Sequence, residues 1–142
     1  MSNSLRYSLW SILVLTIMLV LAACGRRSNG PTEIGVTDAG KTVVVVLNNQ
    51  VIVTLDGNPT TGYIWEVAPD STTALKQNGQ YEFKASSGAM GAGGQLVFKF
   101  DVSGVGEGKL KMMYHRPFEK GVPPIQTFEV NINAVASATS GY

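Results

Sequence analysis

The chain has 142 residues, with 11 Lys plus Arg against 10 Asp plus Glu, one His and one Cys. That near-neutral balance argues against a nucleic-acid binder whose affinity comes from phosphate neutralisation. A single cysteine leaves no disulfide framework and no Cys–metal cluster. No metal or other cofactor is expected, and stability has to come from a packed core.

The first segment reads as an address. Met1 to Tyr7 carries one side-chain charge, Arg6, and Leu9 to Ala22 is apolar apart from Ser11 and Thr16. A short positive start, an apolar core and small residues before a cut site form the pattern of a secretory signal. The 14 residues from Leu9 to Ala22 are short for a bilayer-crossing helix, which needs roughly 20. The closing L-A-A-C, Leu21 to Cys24, resembles the lipobox of bacterial lipoproteins, in which the cysteine is lipidated and becomes the new N-terminus. A plain cleavable signal and an uncleaved anchor are the alternatives. The lipobox reading makes residues 1–23 a signal peptide and predicts an exported protein, lipid-anchored through Cys24 at the cell surface or periplasmic face. Gly25 is not an aspartate retention signal, which points to the outer membrane if the cell has one. Without residues 1–23, 119 residues remain, a size suited to one domain. Residues 24–40 are polar and rich in turn formers at their start, and read as a lipidated cysteine with a flexible tether.

From Lys41 the texture is β. K-T-V-V-V-V-L has β-branched residues on both faces, as a strand covered on both sides would. Val51, Val53 and Leu55 share one face of the next run. Tyr63, Trp65 and Val67 alternate with Ile64, Glu66 and Ala68, and Tyr81 and Phe83 alternate with Glu82 and Lys84. Leu96, Phe98, Phe100 and Val102 form an apolar face, as do Leu110, Met112 and Tyr114, and then Phe128, Val130 and Ile132. This is a period of two repeated in about seven segments, with turn signals between them and no sustained helical period. It predicts an all-β domain over residues 41–134, an immunoglobulin-like antiparallel β-sandwich of about seven strands, with a tail at 135–142. A half-open barrel is the alternative fold.

Three connections stand out in composition. In G-N-P-T-T-G-Y, Gly57 to Tyr63, Pro59 fixes its own φ and pushes Asn58 toward an extended conformation. Gly62 permits a positive φ, and Thr60 and Thr61 between them offer short polar groups at the tip. Ser86 to Gly94 holds four glycines in seven positions. It lacks a G-K-[ST] ending and the third glycine of a dinucleotide fingerprint, and a strand follows where those motifs require a helix. Tyr114 to Gly121 sets Arg116 and Phe118 on either side of Pro117, and Arg and aromatic residues are enriched in interface hot spots. Alone, the first stretch reads as a rigid structural turn, the second as a flexible hairpin connection, and the third as an exposed Arg beside a Phe tucked into the core.

Together they resemble the chagasin family of protein inhibitors of papain-like cysteine proteases, across roughly Lys41 to Ala134. The family's N-P-T-T-G-aromatic motif matches Asn58, Pro59, Thr60, Thr61, Gly62 and Tyr63. Its Gly-x-Gly-Gly segment matches Gly91, Gly93 and Gly94, and its R-P-aromatic motif matches Arg116, Pro117 and Phe118. The resemblance implies three loops side by side at one end of the sandwich, wedged into a protease cleft. Thr60 would lie nearest the catalytic cysteine, with Thr61 bracing the loop from within. The glycine segment would pair by backbone on one side, and Arg116 and Phe118 would grip the other. One departure is Phe118, where the family commonly has Trp. Phe keeps a ring but gives up area and the indole N–H.

A monomer is expected, with the protease and the membrane as partners. Two readings of other classes stay open. An enzyme would have to work with the one histidine, His115, beside Ser86 or Ser87 and without a G-x-S-x-G elbow, so no catalytic residues are assigned. An immunoglobulin-like adhesion or assembly module would share fold and anchor, but would not need the three loops at one end.

Overall fold

Alternation of β-branched and aromatic residues with polar ones builds nine strands among residues 30–137, the part of the chain that the computed structural model describes. The signal segment, Cys24 and the last residues of the tail lie outside the described residues. The strands are β1 (Thr32–Gly35), β2 (Thr42–Val46), β3 (Gln50–Gly57), β4 (Ile64–Val67), β5 (Leu75–Gln77), β6 (Glu82–Ala85), β7 (Gly94–Val102), β8 (Gly106–His115) and β9 (Gln126–Val135). One sheet has the order β1-β3-β7-β5, with β6 also paired to β7, and the other has the order β2-β9-β8-β4. The two sheets pack as a sandwich.

The faces read from the alternation meet in the core between them. Val51, Val53 and Leu55 of β3 and Leu96, Phe98, Phe100 and Val102 of β7 are buried. So are Leu110, Met112 and Tyr114 of β8 and Phe128, Val130 and Ile132 of β9. Burying each such side chain stabilises by about 1.5–3 kcal/mol, which fixes strand register, because a slip of one residue would turn every one of them to solvent. Trp65 of β4 is buried against Tyr114, ring centroids 5.0 Å apart, and its indole N–H donates to the Asp56 carbonyl at 2.9 Å. That hydrogen bond ties the two sheets together at one end.

Four features differ from the expectation. The sheets are mixed, since β1 runs parallel to β3 and β2 parallel to β9. Strand β1 falls in the stretch read as tether, and its Ile34 is 1% exposed, so the folded part begins well before Lys41. Strand β5 is an addition, with Leu75 packed on the core. Strand β2 is not covered on both faces: it is a sheet edge, with Val45 in the core and Val44 57% exposed. Four consecutive valines fit either setting, because β-branched residues favour any pleated surface.

Strand direction decides which loops meet. β3 ends at Gly57, which pairs with Gly94 at the start of antiparallel β7. β8 ends at His115, which pairs with Ile64 at the start of β4. The connections β3–β4, β6–β7 and β8–β9 therefore leave from one pole. The turn at Asn48 and Asn49 and the bend at 103–105 occupy the other, where the Asn48 N–H donates to the Val102 carbonyl at 3.0 Å.

Candidate functional site

The first loop is a single 3₁₀ turn, Pro59–Thr61, between β3 and β4. Asn58 caps it from an extended conformation, φ −141° and ψ 97°, as a residue before proline prefers. Its Oδ1 accepts from the Thr60 N–H at 3.1 Å and from the Thr60 hydroxyl at 2.6 Å. The Thr61 hydroxyl donates to the Asn58 carbonyl at 2.6 Å and accepts from the Tyr63 N–H at 3.4 Å. Gly62 closes the turn at φ 81°, in the left-handed region where glycine alone is unstrained. Both threonines are exposed, and both spend their hydroxyl protons within the loop.

Asn58 reaches beyond its own loop. Its Nδ2 donates to the Gly91 carbonyl at 2.8 Å, which fastens the glycine loop alongside. Its backbone N–H donates to the Tyr114 hydroxyl at 2.9 Å, the polar tip of an otherwise buried ring. Gly93 lies against the same residue: a Cβ there would sit 3.7 Å from the Gly57 carbonyl oxygen and 4.0 Å from the Asn58 Cβ.

The glycines have distinct physical reasons. Gly91 holds φ 76° in a turn closed by the Ala92 N–H on the Ala89 carbonyl at 3.1 Å. Gly94 pairs with Ala85, and a Cβ there would lie 2.2 Å from the Lys84 carbonyl oxygen and 2.8 Å from the Ala85 Cα. Its missing side chain is demanded by the contact of β6 with β7. Gly93 has neither constraint, and only ordinary van der Waals neighbours.

The third loop closes on the other flank. The Arg116 guanidinium lies 4.3 Å from the centroid of the Tyr63 ring, and its Nε donates to the Thr61 carbonyl at 3.3 Å. Arg116 also pairs with Glu119 at 2.9 Å, and that hydrogen bond raises its already high pKa further. Tyr63 is thereby held between Arg116 on one side and Tyr114, at 5.3 Å between centroids, on the other. Phe118 stays 69% exposed, its ring edge close to Gly62, where a Cβ would meet the ring at 3.2 Å. Pro117 is exposed between them.

Asn58, Pro59, Thr60, Thr61, Gly62, Tyr63, Gly91, Gly93, Gly94, Arg116, Pro117 and Phe118 thus come together on one pole through direct contacts of the first loop with both others. Sequence reading did not find Glu119, the Tyr114 hydroxyl, or Met90, which projects fully exposed from the glycine loop. The only signal for Met90 was a long apolar side chain set among glycines. His115 pairs its Nε2 with Glu66 at 2.8 Å across β4 and β8, on the outer face of that sheet. Among the described residues no group of three or more His, Cys, Asp or Glu is placed to hold a metal ion.

The family described as "Chagasin family peptidase inhibitor I42" matches residues 44–132. Amoebiasin-1 of Entamoeba histolytica is 32% identical over 93 residues, which cover 65% of this chain and 88% of that protein. The crystal structure of the cysteine protease inhibitor EhICP2 from the same organism is similar in fold. It has a TM-score of 0.62 at 21% identity, over 75% of this chain and 96% of the other. The solution structure of Amebosin has a TM-score of 0.59 at 28% identity, over 74% of this chain and 98% of its own.

Proposed function

Because the chain belongs to the chagasin family of peptidase inhibitors, we propose that its three loops form one rigid face that blocks the active-site cleft of papain-like cysteine proteases. Inhibition of cysteine proteases is the function that this membership carries. The observation that supports the three-loop face most strongly is the Asn58 side chain, which caps the threonine turn and bonds the glycine loop in one stroke.

In this reading Thr60, at the exposed tip, approaches the catalytic cysteine, and Thr61 braces the turn. Gly91 and Gly93 leave one flank open to backbone contact, while Gly94 keeps that flank in place. Arg116 and Phe118 offer a cation and a ring on the other flank. Association costs several kcal/mol in lost freedom, and loops already fastened to one another avoid a further ordering cost.

The geometry also supports resistance to cleavage. The Thr61 N–H donates to the Asn58 carbonyl and the Gly62 N–H to the Pro59 carbonyl, each at 3.1 Å, so the backbone is curled rather than extended. A curled peptide offers the nucleophile proximity without alignment.

Strand directions favour an outward-facing inhibitor. The L-A-A-C run at 21–24 supports an exported, lipid-anchored protein. β1 is parallel to β3, so the chain enters the sandwich at the pole opposite the loops. An anchor at Cys24 would then leave the loop face turned away from the membrane.

Titration of papain with the purified protein tests the reading. Tight inhibition, competitive with substrate, is expected. Arg116→Ala, which frees the third loop from Tyr63 and Thr61, should raise Ki about tenfold, as loss of an interface arginine commonly does. No inhibition of papain or its cathepsin-type relatives would leave the fold without this function and favour a surface adhesion module.

A further inference from the structure

The glycine loop carries one large side chain, Met90, and the loop is built to present it. The Ala92 N–H bonds the Ala89 carbonyl at 3.1 Å with Gly91 at φ 76°. Those are the marks of a tight turn with glycine at its third position, so Met90 stands at the second, the apex. The neck below is closed by Ser86, whose N–H and hydroxyl both donate to the Gly93 carbonyl, at 2.9 and 2.6 Å. The flank is fastened by Asn58 through the Gly91 carbonyl. An apolar thioether is thus held in water, beside the threonine turn, on a loop restrained at three points.

Among the described residues nothing packs on this side chain, which is fully exposed and so contributes nothing to the core. Its flexibility and polarisable sulfur suit it to adapt to an apolar partner surface. The same exposure makes it the methionine most open to oxidants among the described residues, since Met112 is fully buried and Met113 half-buried on β8.

Resting on the inhibitor reading above, we propose that Met90 is a contact of the protease-binding face and an oxidation site that turns inhibition down. The oxidant is a peroxide. With hydrogen peroxide, a sulfur lone pair attacks one oxygen and an S–O bond forms as the O–O bond breaks; the other oxygen departs as hydroxide and takes the proton of the transferred hydroxyl, leaving as water. Sulfur loses two electrons and the peroxide gains them. The sulfoxide is polar and bulkier, and it disrupts a methionine contact surface.

The test uses the full chain in mild detergent, as wild type, Met90→Leu and Met90→Gln. Each is treated with hydrogen peroxide, cleared of it with catalase and titrated against papain, while peptide mass spectrometry locates the added oxygen. Oxidation at Met90 is expected to raise the wild-type Ki about tenfold, the order set by burying a polar group without a partner. Met90→Leu has no sulfur at this position to oxidise, and its own Ki should be the same before and after treatment. Met90→Gln should be weak without any oxidant. Complete oxidation of Met90 with unchanged Ki would overturn the proposal, as would an equal loss in Met90→Leu, or oxidation that spares Met90 and falls on Met113. Untreated wild type that fails to inhibit papain would overturn the inhibitor reading itself, a result distinguishable from the others because it precedes any oxidation.

Discussion

Asn58→Ala is expected to raise Ki for papain about 100-fold, the scale of a central interface hot spot, while the protein stays folded. The substitution removes the acceptor for the Thr60 N–H and hydroxyl and the donor to the Gly91 carbonyl. Loss of a helix-capping side chain costs about 1 kcal/mol, which lowers Tm by roughly 4–8 °C in a domain of this size. The larger effect on inhibition arises because two loops lose their common fastening and have to be ordered on binding. Asn58→Asp separates the two roles. A carboxylate still accepts from Thr60, but it sets a negative oxygen against the Gly91 carbonyl. It should therefore keep most of the stability and lose most of the inhibition. Faster amide exchange at Ala92, whose N–H closes the glycine turn, would report the loosened loop directly. An Asn58→Ala protein that inhibits like wild type would show that the loops do not act as one body.

Gly94→Ala is expected to cost about 3 kcal/mol of stability, at the upper end for forcing a methyl group into filled space. The methyl group would meet the Lys84 carbonyl oxygen and the Ala85 Cα, which are backbone atoms that cannot rotate aside. Relief requires β6 to leave β7. The neighbouring Gly93→Ala is the control, since its Cβ finds only ordinary contacts and should change stability by no more than about 0.5 kcal/mol. Urea unfolding midpoints of the two variants measure the contrast. Equal midpoints would mean that β6 yields without cost and that Gly94 is free to serve the protease alone.

The core was legible because its period-two signal is repeated on long strands whose inward residues have to be apolar. Phe98, Phe100, Met112 and Val130 could be placed by counting alternate positions. The edges were not legible. Thr32–Gly35 offers one inward residue, Ile34, among turn formers, and its parallel partner lies at residues 51–54, beyond any local pattern. The valine run of β2 gave no sign that one face would meet solvent, because the sequence does not say which strands are outermost.

At the loops, the turn chemistry of Pro59 and Gly62 could be argued from backbone preferences alone: Asn58, before the proline, is extended and Gly62 is left-handed, as those preferences imply. The bond from Asn58 to Gly91 spans 33 residues and depends on where two loops come to rest. No propensity encodes it. The same holds for Arg116 over Tyr63, a contact made possible only by the pairing of His115 with Ile64.

Amide hydrogen exchange of the protein, alone and bound to papain, tests the three-loop face most directly. Slowed exchange is expected together at 58–63, 86–94 and 116–118, with no change at Asn48, Asn49 and 103–105 on the far pole. Protection at the far pole or on an outer sheet face, with the three loops exchanging as in the free protein, would contradict it.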